Sequence, residues 1–510
     1  MTTARPPHID DHAQARPDGV SLIMSDDGAT LTYAQLDARS DALAGQMRAA
    51  GVTEGDHVAL LLQNCPAFLI AAWACHRSGL HYTPVNWHLS PDEVRYIVRD
   101  SGAKLLLSSA VFDTLAHQSM SKGDDVWLCD ASGPSGFAPL GKEPLEPVAY
   151  EPREGASMLY SSGTSGRPKG IKRTLSGEPF GAWSQSDEMM RALYGYDSRT
   201  VFLCTAPLYH AAPLNFAMAA QRAGARVVLM PAFDADAALS LIEREKVTVA
   251  WLVPTMMIRM LRLDDARRAS ADTGSLTHVV HAGAPCPVPV KQAMMDWLGP
   301  KLYEFYGATE GNGFTAIGPY EWLTHPGSVG RAASVKIVGD NGEELPAMKD
   351  GLVYFATTWN PFSYHNDPEK TASAFNEHGW STLGDIGHLD REGYLYLTDR
   401  QSHMIISGGV NIYPQEIENL LVKHHDIEDA AVIGIPNPDF GEEVKAVVQL
   451  VPGAPSNTET EQELIAWCRE RIAHFKVPRS IDFVESLPRM PTGKLLKRAL
   501  IERYRDSSLP

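Results

Sequence analysis

Apolar and polar residues follow one another along the chain in two rhythms that separate helices from strands. Thr32 followed by Gln35 has the spacing of a helix-capping box, Leu36, Leu43 and Met47 continue at helical intervals, and Gly51 stands where that helix stops. Next come the uninterrupted apolar run Val58 to Leu62, helix-like Ala67 to Arg77 and the short stretch Lys104 to Leu107. The runs Val227 to Met230 and Val247 to Val253 repeat the pattern after Ala-rich helical segments. Strands alternating with helices in this way predict layered α/β structure.

The rhythm changes between residues 320 and 400, where Val335 to Val338, Gly351 to Thr357 and Gly393 to Leu397 are short β-branched or aromatic runs set off by Gly and Asp. They predict an antiparallel β unit. After Asp399 a compact mixed unit is expected: a break at Gly408-Gly409, a helix from Pro414 to His424, strands near Ala430 to Ile435 and Val444 to Val451, a helix from Thr460 to His474, and a basic tail from Lys494 to Arg505. Asp399 to His403 is the natural hinge before it. No internal repeat is present.

Composition narrows the function classes. With 510 residues, and about 150 residues per domain as a prior, several subdomains are expected. Lys and Arg total 45 against 62 Asp and Glu, a net charge of −17 that argues against a partner such as nucleic acid or an anionic bilayer. Any anionic ligand must be held locally. Apolar runs such as Ala67 to Cys75 fall well short of the roughly 18 to 20 residues that span a membrane, and Met1 to Pro17 has no apolar signal core, so the cytoplasm is the expected location. Six cysteines (Cys65, Cys75, Cys129, Cys204, Cys286, Cys468) lie far apart without a CxxC pair, which suits reduced thiols and neither a disulfide frame nor a zinc site.

The chemistry concentrates in YSSGTSGRPKG, Tyr160 to Gly170, behind the apolar run Ala156 to Tyr160. Such a loop offers backbone N–H groups, small hydroxyls (Ser161, Ser162, Thr164, Ser165), freedom at Gly163 and Gly166, and one cation, Lys169, the combination that cradles polyphosphate. It is not a Walker loop, because Pro168 precedes the lysine and Gly170 follows it. A flexible polar turn would use the same residue types, but not the whole string.

That string closely resembles the signature loop of the adenylate-forming superfamily, which contains acyl-CoA synthetases, aryl-CoA ligases, peptide-synthetase adenylation domains and firefly luciferase. Ser165 stands where a second threonine is commoner, and the hydroxyl is kept. The resemblance continues through EFYGATE (Glu304 to Glu310), STLGDIG (Ser381 to Gly387), DRQSHMIISGGVNIYPQEIE (Asp399 to Glu418) and PTGKLLKR (Pro491 to Arg498), covering residues 20 to 505. It implies a large N-terminal domain of layered α/β subdomains plus a β-rich subdomain (1–399), a hinge (400–402) and a small mobile α+β C-terminal domain (403–510).

Residue by residue, the resemblance implies that Tyr306 stacks on adenine, with Gly283, Ala284 and Gly307 in the nucleotide set. Thr309 contacts phosphate, Glu310 with Thr164 holds the magnesium that accompanies ATP, Asp385 accepts the ribose hydroxyls and Arg400 adds a cation beside them. Without the motifs, Tyr306 would read as core packing and Asp385 as a turn former. A partial dinucleotide fingerprint at Gly311, Gly313 and Ala316 is opposed by Gly318-Pro319, where the required helix cannot continue. Lys494 matches the lysine that enters the site during adenylation, where an ammonium stabilises charge gathering on a five-coordinate phosphorus; otherwise it is a solvated lysine beside Lys497 and Arg498.

The implied reaction is carboxylate plus ATP giving acyl-adenylate and pyrophosphate, then attack by the thiol of CoA, with the small domain rotating between steps. Ser402 falls at the hinge position where relatives place Asp or Lys. Gly408 and Gly409 would let a pantetheine arm approach the backbone, while Phe440, Phe475 and Arg479 are candidates for the CoA nucleotide, the two phenylalanines serving equally well as core of the small domain. His210, in PLYHAAPLNF, would lie beside the carboxylate of the acid, or be a structural histidine. Trp183, Ala211, Ala212, Asn215, Trp251, Ala282, Gly307, Asn312 and Gly313 would wall the acyl pocket, giving room for an aryl, alicyclic or medium-to-long acyl acid. The reading is an AMP-forming acid–CoA ligase acting on a small-molecule carboxylic acid, ATP and CoA, with a homodimer left open. Its rival passes the acyl group to an amine or a carrier protein. A turnover-free nucleotide binder is opposed by the retention of Lys494, Glu310 and Asp385, and a hydrolase by the lack of a GxSxG elbow.

Overall fold

Strands made only of buried residues need cover on both faces, and here they lie in the middle of two parallel sheets. The structure is a computed structural model that describes residues 7–120, 125–129, 134–139, 143–161, 168–182, 185–356, 362–407, 410–489 and 495–506. Strand His57–Leu61, buried throughout, lies between Ala103–Ser109 and His81–Pro84 in a six-stranded sheet that is parallel except at the edge strand Phe137–Pro139. An eight-stranded sheet sets Val201–Cys204, Val249–Leu252, His278–His281 and Leu302–Gly307 side by side in parallel, with antiparallel edges at Phe314–Ile317 and Thr30–Thr32.

Helices Pro66–Arg77 and Ala211–Arg222 meet inside one core that runs from Leu60 to Phe216 and Trp251. The indole N–H of Trp73 donates to Gln221 Oε1 at 2.7 Å, and the Arg222 guanidinium lies 5.2 Å from the Trp73 ring. Helix Tyr33–Ala49 begins as its sequence signals: Thr32 and Gln35 exchange side-chain-to-backbone bonds of 3.2 and 2.9 Å, and Gly51 takes a left-handed φ of 85° just past its end.

The β unit is a four-stranded antiparallel sheet, Val335–Val338, Gly351–Phe355, Ser381–Leu389 and Leu395–Arg400. Gly393 is the turn before the last strand rather than its first residue. The partial dinucleotide fingerprint leads into strand Phe314–Ile317, and helix Pro319–Thr324 starts only after it.

Residues 405 to 504 form their own sheet and two small cores. Its first helix, Pro414–Leu421, stops before His424 because its last turn tightens to three-residue bonds, Lys423 to Leu420 and His424 to Leu421, on the way into strand Ile427–Asn437. The second helix runs Thr458–Arg469 and is separate from the tight turn His474–Lys476. The basic tail is a helix, Lys497–Asp506, that buries Leu500 and pairs Lys497 with Glu418 at 2.8 Å. Among the described residues no helix is long and apolar enough to cross a membrane.

Candidate active site

Parallel sheets present ligands at the carboxyl ends of their strands, and the candidate residues collect there. Leu302–Gly307 carries Tyr306 at its end, and Asp385 and Arg400 sit directly opposite each other on neighbouring antiparallel strands, so both side chains share a face. Tyr306 OH donates to Asp385 Oδ2 at 2.7 Å and Arg400 Nε donates to Oδ1 at 2.8 Å. Asp385 is 6% exposed, and each of its oxygens keeps a lone pair for a further donor, as a ribose diol would require. Burial, reinforced by the Asp385 carboxylate, holds the Tyr306 hydroxyl protonated far above the usual phenol range. Its ring lies 5.9 Å from Phe355, near parallel.

The strands on either side of the expected phosphate loop form an antiparallel pair in which Ser161 faces Lys169 and Tyr160 faces Gly170. A Cβ at Gly170 would meet the Met158 methyl at 2.4 Å and the Tyr160 ring at 3.0 Å, so the pair packs closely over this glycine. Asp100 anchors it: Tyr160 OH donates to Oδ2 at 2.6 Å, and His365 Nε2 lies 2.9 Å from the Asp100 carbonyl. Ser162, Gly163, Thr164, Ser165 and Gly166 lie outside the described residues, as does the Ser161 side chain. Lys169 Nζ stands 5.7 Å from the Tyr364 ring, and burial together with Lys370 lowers its pKa. Tyr364 OH donates to Glu310 Oε1 at 3.0 Å. Glu310 is thus a buried carboxylate that accepts from a hydroxyl, a hard-oxygen donor of the kind magnesium takes. Thr309 precedes it in a turn closed by Gly311 N–H to Ala308 O at 3.0 Å. Gly283 has φ 87° and nothing within 4 Å of its missing Cβ, so the Gly283-Ala284 loop is glycine-dependent and open.

The residues expected to wall an acyl pocket bracket the same strand ends. His210 precedes helix Ala211–Arg222 with its ring 4.5 Å from Tyr209; Ala211 and Ala212 are half-buried and Asn215 is exposed. Trp251 is buried between Phe216 of that helix, at 5.0 Å, and Phe305, at 5.9 Å. Ala282 and Asn312 are buried and Gly307 is exposed, while the space beside Gly313 is filled by the Phe355 ring, 2.0 Å from where a Cβ would stand. Trp183 lies outside the described residues.

On the thiol side, Gly408, Gly409 and Lys494 also lie outside the described residues, and Ser402 lies in the turn Gln401–His403 with its side chain outside them. Phe440 and Phe475 are 43% and 53% exposed, so neither is core. Arg479 stacks 5.0 Å from the Phe440 ring and Lys476 lies 5.7 Å from that of Phe475, a cationic aromatic surface. Arg262, just past helix Pro254–Leu261, pairs with the Glu428 carboxylate and donates to its carbonyl at 3.1 Å, joining the large and small units.

Sequence reasoning missed Tyr364, Asp100 and the buried trio Lys291, Glu304 and His281. Lys291 Nζ lies 2.7 Å from Glu304 Oε2, with His281 Nε2 at 3.6 Å from the same oxygen; His281 precedes Ala282 and Glu304 shares a strand with Tyr306. Glu304 stood inside a quoted motif and was the available signal; Tyr364 and Asp100 belong to no pattern.

Known proteins resemble the chain over nearly its whole length. The chain is 35% identical over 483 residues to a feruloyl-CoA synthase of an Amycolatopsis sp, with 94% of each chain covered. It superimposes on the o-succinylbenzoate CoA synthetase of Bacillus subtilis in complex with its acyl-adenylate intermediate with a TM-score of 0.80, at 29% identity and 98% coverage of both chains. The amide bond synthetase of Marinactinospora thermotolerans also gives 0.80, at 27% identity, covering 97% of this chain and all of that one. The AMP-binding enzyme model matches residues 9–364 and the model of its C-terminal domain residues 416–494; the chain belongs to the AMP-binding enzyme family.

Proposed function

We propose that this enzyme is an AMP-forming acid–CoA ligase for a hydrophobic aryl, alicyclic or medium-to-long acyl acid, working in the cytoplasm where ATP and CoA are both available. The observation that carries the reading is Asp385, fixed between Tyr306 and Arg400 with lone pairs to spare, beside a phosphate loop clamped at its base.

The ring of Tyr306 offers a flat face to adenine, Asp385 receives the ribose hydroxyls, and Lys169 faces the phosphates. Glu310 and Thr164 would hold magnesium, which when bound neutralises phosphate charge. His210 orients the acid carboxylate for in-line attack on the α-phosphorus; the bond to the bridging oxygen breaks and pyrophosphate leaves. Lys494 brings an ammonium to the charge that gathers in that transition state. Swivelling at residues 400–402 then exchanges Lys494 for the Gly408-Gly409 segment, and the CoA thiol, losing its proton, attacks the acyl carbonyl and releases AMP.

A second reading keeps adenylation and passes the acyl group to an amine or a carrier protein; the likeness to an amide bond synthetase supports it, while the exposed Phe440, Phe475 and Arg479 surface favours CoA. Pyrophosphate release over a panel of acids, with and without CoA, separates them. Multiple turnovers only with CoA, lost in Lys494→Ala, support the ligase. Adenylate turned over only by amines supports the rival.

A further inference from the structure

A buried carboxylate needs a donor, and the kind of donor decides how much charge is left for anything else. Glu310 is 8% exposed and accepts a hydrogen bond of 3.0 Å from the hydroxyl of Tyr364, 54 positions further along the chain. An arginine or lysine in that place would hold the carboxylate more strongly but would cancel its charge. A phenol hydroxyl is neutral: it fixes one oxygen and leaves the negative charge, with lone pairs to spare, for a cation.

Tyr364 is itself held in place. It lies on the short strand Ser363–Tyr364, which pairs with Lys169–Lys172, the strand that follows the expected phosphate loop. Ile171 stands opposite Tyr364, and Lys169, two residues before Ile171, shares that face of the sheet, so its Nζ comes to 5.7 Å from the Tyr364 ring centre. The Tyr364 N–H donates to Thr371 Oγ1 at 3.0 Å, its ring packs in a small core with Ile171 and Phe362, and the next residue, His365, donates its N–H to the Gly170 carbonyl at 2.7 Å. Phenylalanine would pack in that core equally well. The hydroxyl is therefore spent on Glu310, and the aromatic face on Lys169. One side chain contacts two opposite charges, one on the three-stranded sheet and the other three residues past a strand of the eight-stranded sheet.

We propose that Tyr364 is a positioning residue: it aims the Glu310 carboxylate at the divalent cation that accompanies ATP without neutralising it, while its ring seats Lys169 for the phosphates. The inference rests on the adenylation reading above and adds to it a residue that no motif named.

The test compares metal affinity with nucleotide affinity in the full-length protein. Mn2+ is the metal probe, titrated into ATP with the protein in excess and followed by electron paramagnetic resonance of the free ion; ATP binding without metal, in EDTA, is followed by calorimetry. In Tyr364→Phe the Mn2+ dissociation constant is expected to rise about tenfold, because a donor to a charged group is lost, with the metal-free ATP constant within about twofold of wild type. Tyr364→Leu, which also removes the ring from Lys169, is expected to weaken metal-free ATP binding as well, by about threefold or more. In a Glu310→Gln background, Tyr364→Phe is expected to change Mn2+ affinity by less than about twofold, since the two side chains act as one unit. An Mn2+ affinity unchanged or tighter in Tyr364→Phe overturns the inference, as does a tenfold loss that persists in the Glu310→Gln background. A wild-type protein that binds no ATP, with or without metal, overturns the adenylation reading instead.

Discussion

Asp385 has each carboxylate oxygen tied to a different neighbour, and removing one tie should be felt in nucleotide binding alone. Tyr306→Phe keeps the ring but leaves a buried carboxylate oxygen short of a donor, a loss of about 1–3 kcal/mol. The expected outcome is a rise in KM for ATP of about tenfold or more with KM for the acid within about twofold, read from initial rates. Buried histidines set a second expectation. Burial lowers His8 to about 4 and His81 to about 4, and burial with His81 beside it lowers His57 to about 3. Each stays neutral in the folded chain while the unfolded chain takes up a proton near 6.5, so their contribution is complete above that pH and is lost on acidification toward 4. Against the rise that burial would cause, His76 and Arg222 draw Glu154 down to about 2, a depressed carboxylate whose contribution is lost in the same direction, below its ordinary value of 4.5. Denaturant midpoints should fall steeply from pH 6.5 to pH 4, each neutral histidine adding about 1.4 kcal/mol per pH unit, and His57→Gln should flatten the slope.

Between elements, the ion pair Lys291–Glu304 ties helix Val288–Leu298 to strand Leu302–Gly307 with Lys291 fully buried. Lys291→Met strands the Glu304 charge and should cost about 3–5 kcal/mol in unfolding free energy, whereas adding Glu304→Leu should recover most of it, because a buried pair replaced by apolar residues is close to neutral. Gly313→Ala drives a methyl into the Phe355 ring and should cost about 1–3 kcal/mol. These two sites mark where the sequence stopped being readable. The strands of the parallel sheets were legible as apolar runs, the helix at Thr32 by its cap, and the members of the Tyr306–Asp385–Arg400 cluster by contiguous motifs. The Tyr364–Glu310 bond spans 54 residues and the Tyr160–Asp100 bond 60, and no local pattern encodes a partner so far away. Phe440 and Phe475 look like core residues in composition; only their placement on the face of the small unit shows otherwise.

At the scale of the molecule, a large α/β body and a small unit meet through Arg262 and Glu428, both partly exposed. Exposed pairs are worth about 0.2–1 kcal/mol, little for folding but enough to bias two orientations of one domain by up to about fivefold. Arg262→Ala should speed limited proteolysis between residues 400 and 413 while leaving the large body's unfolding transition in place. The central claim is that the chain adenylates a carboxylic acid. The most direct measurement is the nucleotide product formed from ATP, magnesium, CoA and an acid panel, identified by mass spectrometry for the wild type and Asp385→Asn. AMP, pyrophosphate and acyl-CoA in equal amounts, all dependent on the acid and strongly reduced in the variant, are the predicted result. ADP with free phosphate, or ATP breakdown that ignores the acid, would contradict it.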